Sequence, residues 1–227
     1  MSIAEKLTTL AQNQQKVYDA GKQAEYDRFW DSYQDNGART DYVHAFSRKW
    51  KDDAFRPKYT MKPLTMDYMF VNTEITDLKD KLDAQGVTLD TSECKSFLQS
   101  FMSARIKHIP TLDLRSSQTM ANTFSSGCRA VTIDKLIVSE TTPFVLSTFQ
   151  AALYLQNITV EGTIGKSIEL YWSPLTKNSI ESVINALSTT ASGLTASFSK
   201  DAVSRGFDDD GWNTLVAKRP NWTIILA

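Results

Sequence analysis

Few side chains in this 227-residue sequence are of the types that carry out acid–base, nucleophilic or metal chemistry. The histidines are His44 and His108, and the cysteines are Cys94 and Cys128. A zinc site needs about four ligands, which usually come in pairs at short spacing. Neither histidine has such a neighbour at helical or hairpin spacing, and the two cysteines are 34 residues apart. We therefore expect no metal centre and no cofactor.

The acidic run Asp208-Asp209-Asp210-Gly211 is the other candidate for chemistry. A calcium loop needs oxygen ligands at alternating positions and a closing acid, and both are missing here. We expect instead a solvated acidic turn that caps a helix around Trp212, because carboxylates are favoured at helix starts. No nucleophile elbow or glycine-rich phosphate loop is present either. The sequence therefore predicts a protein that is not an enzyme and disfavours a hydrolase of cell wall or glycan.

Binding to a partner is the chemistry that the side chains favour. Arginine and large aromatic side chains dominate interface energetics, and several lie where they would point outward from predicted strands or loops. These candidates are Arg105, Lys107, His108, Arg115, Arg129, Lys135, Tyr154, Tyr171 and Trp172. For any single one of them, a routine solubilising or core role is the favoured alternative. The pair Tyr171-Trp172 would be the first to mutate.

A weak internal repeat predicts the elements that would position these residues. Phe101, Phe124 and Phe149 follow one another at 23 and 25 residues, and each begins a polar-then-apolar segment. Strand-like stretches follow at 106–114, 131–138 and 155–160, with isoleucines at equivalent places (Ile109, Ile133 and Ile158). This period is typical of leucine-rich repeats, whose units stack so that their strands form a parallel ladder.

The same repeat predicts the environment of Cys128. This residue lies four positions after Phe124, as Leu153 lies four after Phe149. We expect both to be buried apolar residues, with a disulfide or a reactive thiol as the alternatives for Cys128.

The N-terminal segment predicts a long helix over residues 2–33. Ile3, Leu7, Leu10 and Val17 fall at the alternating three- and four-residue steps of a helix–helix seam. Two interpretations stay open, an oligomeric coil over residues 3–17 and an amphipathic helix folded back on its own domain.

The rest of the chain supplies shorter elements. Residues 26–59 are rich in aromatic and basic side chains, which can mark a stacking platform for nucleic acid or sugar. Nearby aspartates cancel the positive charge, which favours a small core filled with rings. Strands are predicted at 68–71 and 87–90, with helical turns at 75–82. The C-terminal segment predicts a helix at 179–187, an edge strand at 194–198, a helix at 212–217 and a final strand at 222–226.

The resulting fold class is α+β with three parts. Residues 1–35 form an N-terminal helix for assembly or anchoring, and 36–85 form an aromatic-rich α/β connector. Residues 86–227 form a short leucine-rich-repeat-like solenoid with a C-terminal helix and strand cap.

Composition and charge restrict the partners. The formal net charge is -1, so no long-range field attracts phosphate backbones or anionic lipid, and we expect no nucleic-acid partner. No apolar run approaches the roughly 20 residues that span a bilayer. The N-terminus lacks the pattern of a secretory signal, so the chain is expected to be made and kept soluble or to leave the cell by lysis or assembly.

Four stretches resemble a known family. The phrase "FSSGCRAVTIDKLIV" and the endings "LTKNSIESVINALSTTASGLTASFSKDAV" and "WNTLVAKRPNWTIILA" are similar to BspA-like leucine-rich-repeat proteins of bacterial surfaces and prophages. The opening "MSIAEKLTTLAQNQQKVYDAGKQAEYDRFWDSYQ" resembles the helical N-terminus of phage-encoded members, whose genes tend to lie with tail and baseplate genes. The chain departs from the family in its irregular repeat lengths, its few leucines and Arg105 at the place of Cys128 and Leu153.

The resemblance implies a virion component, assembled in the bacterial cytoplasm and attached to the tail or baseplate through its N-terminal part. Its partners would be other virion proteins and a host surface protein or glycan. A homo-oligomer is expected, with a trimer favoured by analogy with tail fibres. The alternative is a bacterial surface adhesin or protein-interaction module, to which the missing signal peptide is the main objection.

Overall fold

A computed structural model describes residues 2–34, 41–47 and 55–227 of the chain. The fold is mixed α/β with a long N-terminal helix and two small sheets, and the described strands close no barrel. This agrees with the predicted combination of helix and sheet. The helices are α1 (Ile3–Gln34), α2 (Leu78–Gln85), α3 (Lys177–Ala186), α4 (Lys200–Gly206) and α5 (Asp209–Val216).

Helix α1 begins with a reciprocal cap. The Ser2 backbone amide donates to Glu5 Oε2 at 2.5 Å, and the Glu5 amide donates to Ser2 Oγ at 3.2 Å. This capping box satisfies amides that have no partner inside the helix. The predicted helix over 2–33 is therefore confirmed to within a residue at each end.

The first sheet is parallel and consists of β1 (His108–Ile109), β2 (Leu112–Asp113), β3 (Thr132–Val138) and β4 (Asn157–Gly162). Strands β1 and β2 both pair with β3, and β4 lies on the other side of β3. Pro110 interrupts the predicted strand 106–114, since proline has no amide to donate to the ladder. The three predicted isoleucines are in register (Ile109 with Ile133, and Ile133 with Ile158) and all are buried.

A stack of five buried phenylalanine rings runs beside this sheet. Neighbouring ring centroids in the series Phe46, Phe70, Phe101, Phe124 and Phe149 are 5.1 to 5.5 Å apart and nearly parallel. Two residues before each of the first four rings, the backbone adopts a left-handed φ of 54° to 56° (His44, Tyr68, Gln99 and Asn122). The predicted strand at 68–71 is therefore wrong, because these residues form the turn that carries Phe70.

Parallel pairing of the same kind extends toward the N-terminus. Single parallel bridges join Asp41 to Thr65, Thr65 to Ser96, and Met61 to Leu89. The predicted strand at 87–90 is reduced to the bridge at Leu89. The last two bridges link residues on both sides of the predicted division at residue 86, and the three domain limits stay predictions. Of the predicted aromatic core at 26–59, Tyr42, Phe46 and Phe55 are buried, whereas Trp50 lies outside the described residues.

The second sheet contains β5 (Ile168–Leu170), β6 (Leu194–Phe198) and β7 (Trp222–Leu226), all parallel. Helix α3 lies between β5 and β6 along the chain, and α4 and α5 lie between β6 and β7. Strand β6 was predicted as an edge strand, which is wrong, because β7 pairs with its full length and becomes the edge. The short elements β5 and α4 were not predicted.

The cysteines are both buried and free. Burial raises the pKa of the Cys128 thiol to about 11 and that of Cys94 to about 12. The predicted apolar role of Cys128 is therefore confirmed. The matching prediction for Leu153 is wrong, because its side chain is 52% exposed and Ala152 takes the buried position. Gly127, with a φ of 88°, adds one residue to the turn before Cys128.

Candidate functional site

Three of the predicted binding residues lie in one row across neighbouring segments of the first sheet. Arg105, Arg129 and Tyr154 each precede, by three residues, one of the mutually paired residues His108, Thr132 and Asn157. The Arg129 amide donates to the carbonyl of Ala104 at 2.9 Å, which fixes this register. All three side chains of the row are exposed.

Apolar side chains extend the row. The Thr176 amide donates to the Gln156 carbonyl at 2.9 Å, so the segment that carries Trp172 lies next to the segment that carries Leu153. Trp172 is 44% exposed, and its ring centroid lies 4.9 Å from that of the half-buried Tyr171. Ser173 Oγ donates to the Ala152 carbonyl at 3.2 Å and anchors this corner.

We call the residues Arg105, Arg129, Leu153, Tyr154 and Trp172 the arginine–aromatic surface. Two guanidinium groups offer planar hydrogen-bond donors, and the rings offer flat faces for stacking. Such a combination can bind carboxylates, sugar rings or a protein surface. The sequence predicted four of its five members together with Tyr171, but it missed Leu153, which was expected in the core.

Arg115 was predicted as a binding residue, and the structure gives it a local partner. Its Nε and Nη2 donate to the Asp113 carboxylate at 3.0 and 2.6 Å. Asp113 is largely buried, and the Arg115 guanidinium lowers the pKa of its carboxyl group from the usual value. This ion pair holds the Arg115 guanidinium beside Asp113 at the end of β2. Arg115 is therefore not part of the arginine–aromatic surface.

His108 also has partners of its own. It lies on β1, as predicted for a repeat strand, but its side chain is half-buried where an exposed one was expected. Its Nε2 is 2.5 Å from Asp134 Oδ1 on β3. Its Nδ1 is 4.0 Å from Asp77 Oδ1. Sequence spacing could not reveal this cluster, because Asp77 and Asp134 are separated from His108 by 31 and 26 residues. The parallel bridge between Asp77 and His108 brings these two residues together, and the pairing of β1 with β3 brings Asp134 close to His108.

Of the two lysines predicted as binding residues, one is exposed and the other forms an ion pair. Lys107 is exposed, whereas Lys135 pairs with Glu161 at 2.7 Å. The acidic run behaves as predicted, because the Asp208 side chain accepts from the Gly211 amide at 2.8 Å and caps α5.

The predicted assembly residues lie exposed on α1. The exposed fractions are 79% for Ile3, 61% for Leu7, 55% for Leu10 and 74% for Val17. Every side chain from Ser2 to Gly21 is exposed, so no described part of the chain covers this apolar stripe. Farther along the helix, Asp27 Oδ1 pairs with Lys58 Nζ at 2.8 Å.

Across the described ranges, no helix combines the length and apolar character that a membrane crossing requires. No protein-family model, curated protein or solved structure matches the chain significantly.

Proposed function

We propose that this chain is a non-enzymatic structural protein of a phage virion, located in the tail or baseplate region. Helix α1 assembles the protein, and the arginine–aromatic surface contacts a host surface protein or glycan. We further propose that the parallel segments form a short leucine-rich-repeat-like solenoid. The register of the three isoleucines and the stack of phenylalanine rings support this part of the proposal.

The observation that carries the proposal is the uncovered stripe of α1. Ile3, Leu7, Leu10 and Val17 are at least 55% exposed although they are the apolar residues of one helix face. A 32-residue helix is about 48 Å long, which is enough to reach a neighbouring subunit. Burial of each such side chain contributes about 1.5–3 kcal/mol, so association of several helices is favourable.

The apolar stripe on α1 is short, which limits how far it can stabilise an oligomer by itself. Four apolar residues cover about two heptads, and coils of this length are marginal in isolation. The helix therefore supports an oligomer whose remaining contacts come from other virion proteins. Around a symmetric particle, repeated copies of a weak binding surface would raise avidity without strong single contacts.

Light scattering after size exclusion tests the assembly role of α1. We expect the full chain to have a mass of at least twice the 25.5 kDa of one chain, with a trimer favoured. The double substitution Leu7→Lys and Leu10→Lys places charges in the seam and should shift the protein to the monomer mass. The matched control is Gln12→Lys, which lies on the opposite face of the helix and should leave the mass unchanged.

If the wild-type chain is monomeric at all accessible concentrations, α1 does not assemble the protein and the proposal is contradicted. That result would favour the other interpretation of the helix, in which α1 folds back on its own domain. A bacterial surface adhesin could use the same arginine–aromatic surface, and the composition of purified particles distinguishes that function from a virion component.

A further inference from the structure

A cluster of one histidine and two aspartates lies where α2 meets the first sheet. Asp77 and Asp80 occupy the start of α2, and His108 lies on β1 next to Asp77. Each residue offers one possible ligand atom, and these three atoms lie within 4.8 Å of one another. The cluster is separate from the arginine–aromatic surface and plays no part in the proposed function.

Asp134 orients the histidine. A carboxylate can only accept a hydrogen bond, so at 2.5 Å it holds the Nε2 proton of His108. In the tautomer with its proton on Nε2, the other ring nitrogen, Nδ1, presents the lone pair, and it faces Asp77 Oδ1 at 4.0 Å. Metal-binding histidines in proteins are held in this way, with the non-ligating nitrogen donating to a carboxylate. The arrangement differs from a simple acidic cluster because it presents a correctly oriented nitrogen ligand.

Both aspartates can provide oxygen ligands without losing their structural contacts. Asp77 Oδ1 accepts from the Asp80 amide at 3.0 Å and caps α2, which leaves Oδ2 for a metal. Asp80 is exposed, so its side chain can rotate toward Nδ1. The ligand atoms around a tetrahedral ion with bonds of about 2.0–2.1 Å lie closer to one another than 4.8 Å. Rotation of the Asp80 side chain would bring its carboxylate oxygen to that shorter distance from Nδ1.

Carboxylates provide the negative charge at this cluster. Asp77 and Asp80 each offer an oxygen close to the His108 ring, and Lys79 on the same helix is already paired with Asp83. Arg56 and Lys81 line the same cavity as the two aspartates. Repulsion between the Asp77 and Asp80 carboxylates would fall when a divalent ion binds between them.

We propose that Asp77, Asp80 and His108 bind one divalent zinc-like transition metal, with Asp134 as the positioning residue for His108. Imidazole nitrogen together with carboxylate oxygen suits Zn²⁺ or Co²⁺ rather than Ca²⁺ or Mg²⁺, which prefer oxygen ligands alone. The exposed side of Asp80 leaves room for water at the remaining positions. The ion fastens α2 to β1 and, through Asp134, to β3.

The test is a Zn²⁺ titration of the full-length, tag-free, metal-stripped protein in competition with a chromophoric chelator. We expect one Zn²⁺ per chain, and we expect His108→Gln and Asp80→Asn to abolish this binding. Asp134→Asn keeps all three ligands and should weaken binding about 10–100-fold. The matched control His44→Gln removes the other histidine, which is exposed and stacked on Tyr68, and should bind as the wild type does.

Thermal unfolding gives a second measurement, since a ligand that binds the folded state raises Tm. Zn²⁺ should raise the Tm of the wild type and of His44→Gln, and it should leave those of His108→Gln and Asp80→Asn unchanged. Asp80→Asn alters an exposed side chain, so the test survives if His108→Gln fails to fold. The proposal is overturned if the wild type binds no Zn²⁺ or if Asp80→Asn and His108→Gln bind it as the wild type does.

Discussion

Replacing Phe124 with alanine is expected to lower the free energy of unfolding by about 3–5 kcal/mol. Phe124 is the fourth of five stacked rings, and its centroid lies 5.5 Å from that of Phe101 and 5.1 Å from that of Phe149. Its side chain is 1% exposed. Alanine would leave a cavity between two rings that backbone pairing holds apart, so the neighbours cannot close the gap fully.

Urea unfolding followed by circular dichroism measures this loss. Leu153→Ala is the matched control, because it also removes a large apolar side chain from a turn that precedes a strand of the first sheet. Leu153 is 52% exposed, so this change should cost less than about 0.5 kcal/mol. A loss for Phe124→Ala as small as that of the control would mean that the ring stack does not hold the segments together.

Gly162→Ala is expected to lower the free energy of unfolding by about 2–4 kcal/mol. Gly162 ends β4 opposite Val138, and its φ of 102° lies in a region that L-residues rarely adopt. A Cβ atom there would also overlap the Val138 carbonyl oxygen, far inside van der Waals contact. The backbone strain and the clash add, and the ends of β3 and β4 must separate to relieve them.

Gly193→Ala separates these two contributions. Gly193 has a φ of 70°, but a Cβ atom there would meet nothing within 4 Å, so only the strain of about 1 kcal/mol applies. Both variants can be compared in the same urea series. Equal losses for the two glycines would contradict the close approach of β4 to β3.

The repeat was visible in the sequence only where its period is regular. Phe101, Phe124 and Phe149 have similar spacings, and the structure stacks all three. Phe46 and Phe70 continue the stack, but 31 residues separate Phe70 from Phe101 because α2 is inserted between them. An insertion of this kind hides a period from any count of spacing.

The candidate sites were predictable to different degrees. A repeat period places Arg105, Arg129 and Tyr154 at equivalent positions, so their row could be inferred from the sequence. The apolar stripe on α1 could also be predicted, because helical periodicity places its residues on one face. By contrast, the cluster around His108 depends on which strand pairs with which, and local periodicity carries no such information. Leu153 was misplaced because one additional residue, Gly127, shifts the turn before Cys128.

The composition of purified phage particles tests the central claim most directly. Particles released by the bacterial strain that encodes this chain can be purified on a density gradient, and their proteins can be quantified by mass spectrometry. We expect this chain at a fixed copy number relative to the tail and baseplate proteins, and it should remain with the particles after a high-salt wash. Its presence in the lysate or at the cell surface together with its absence from the particles would contradict the account.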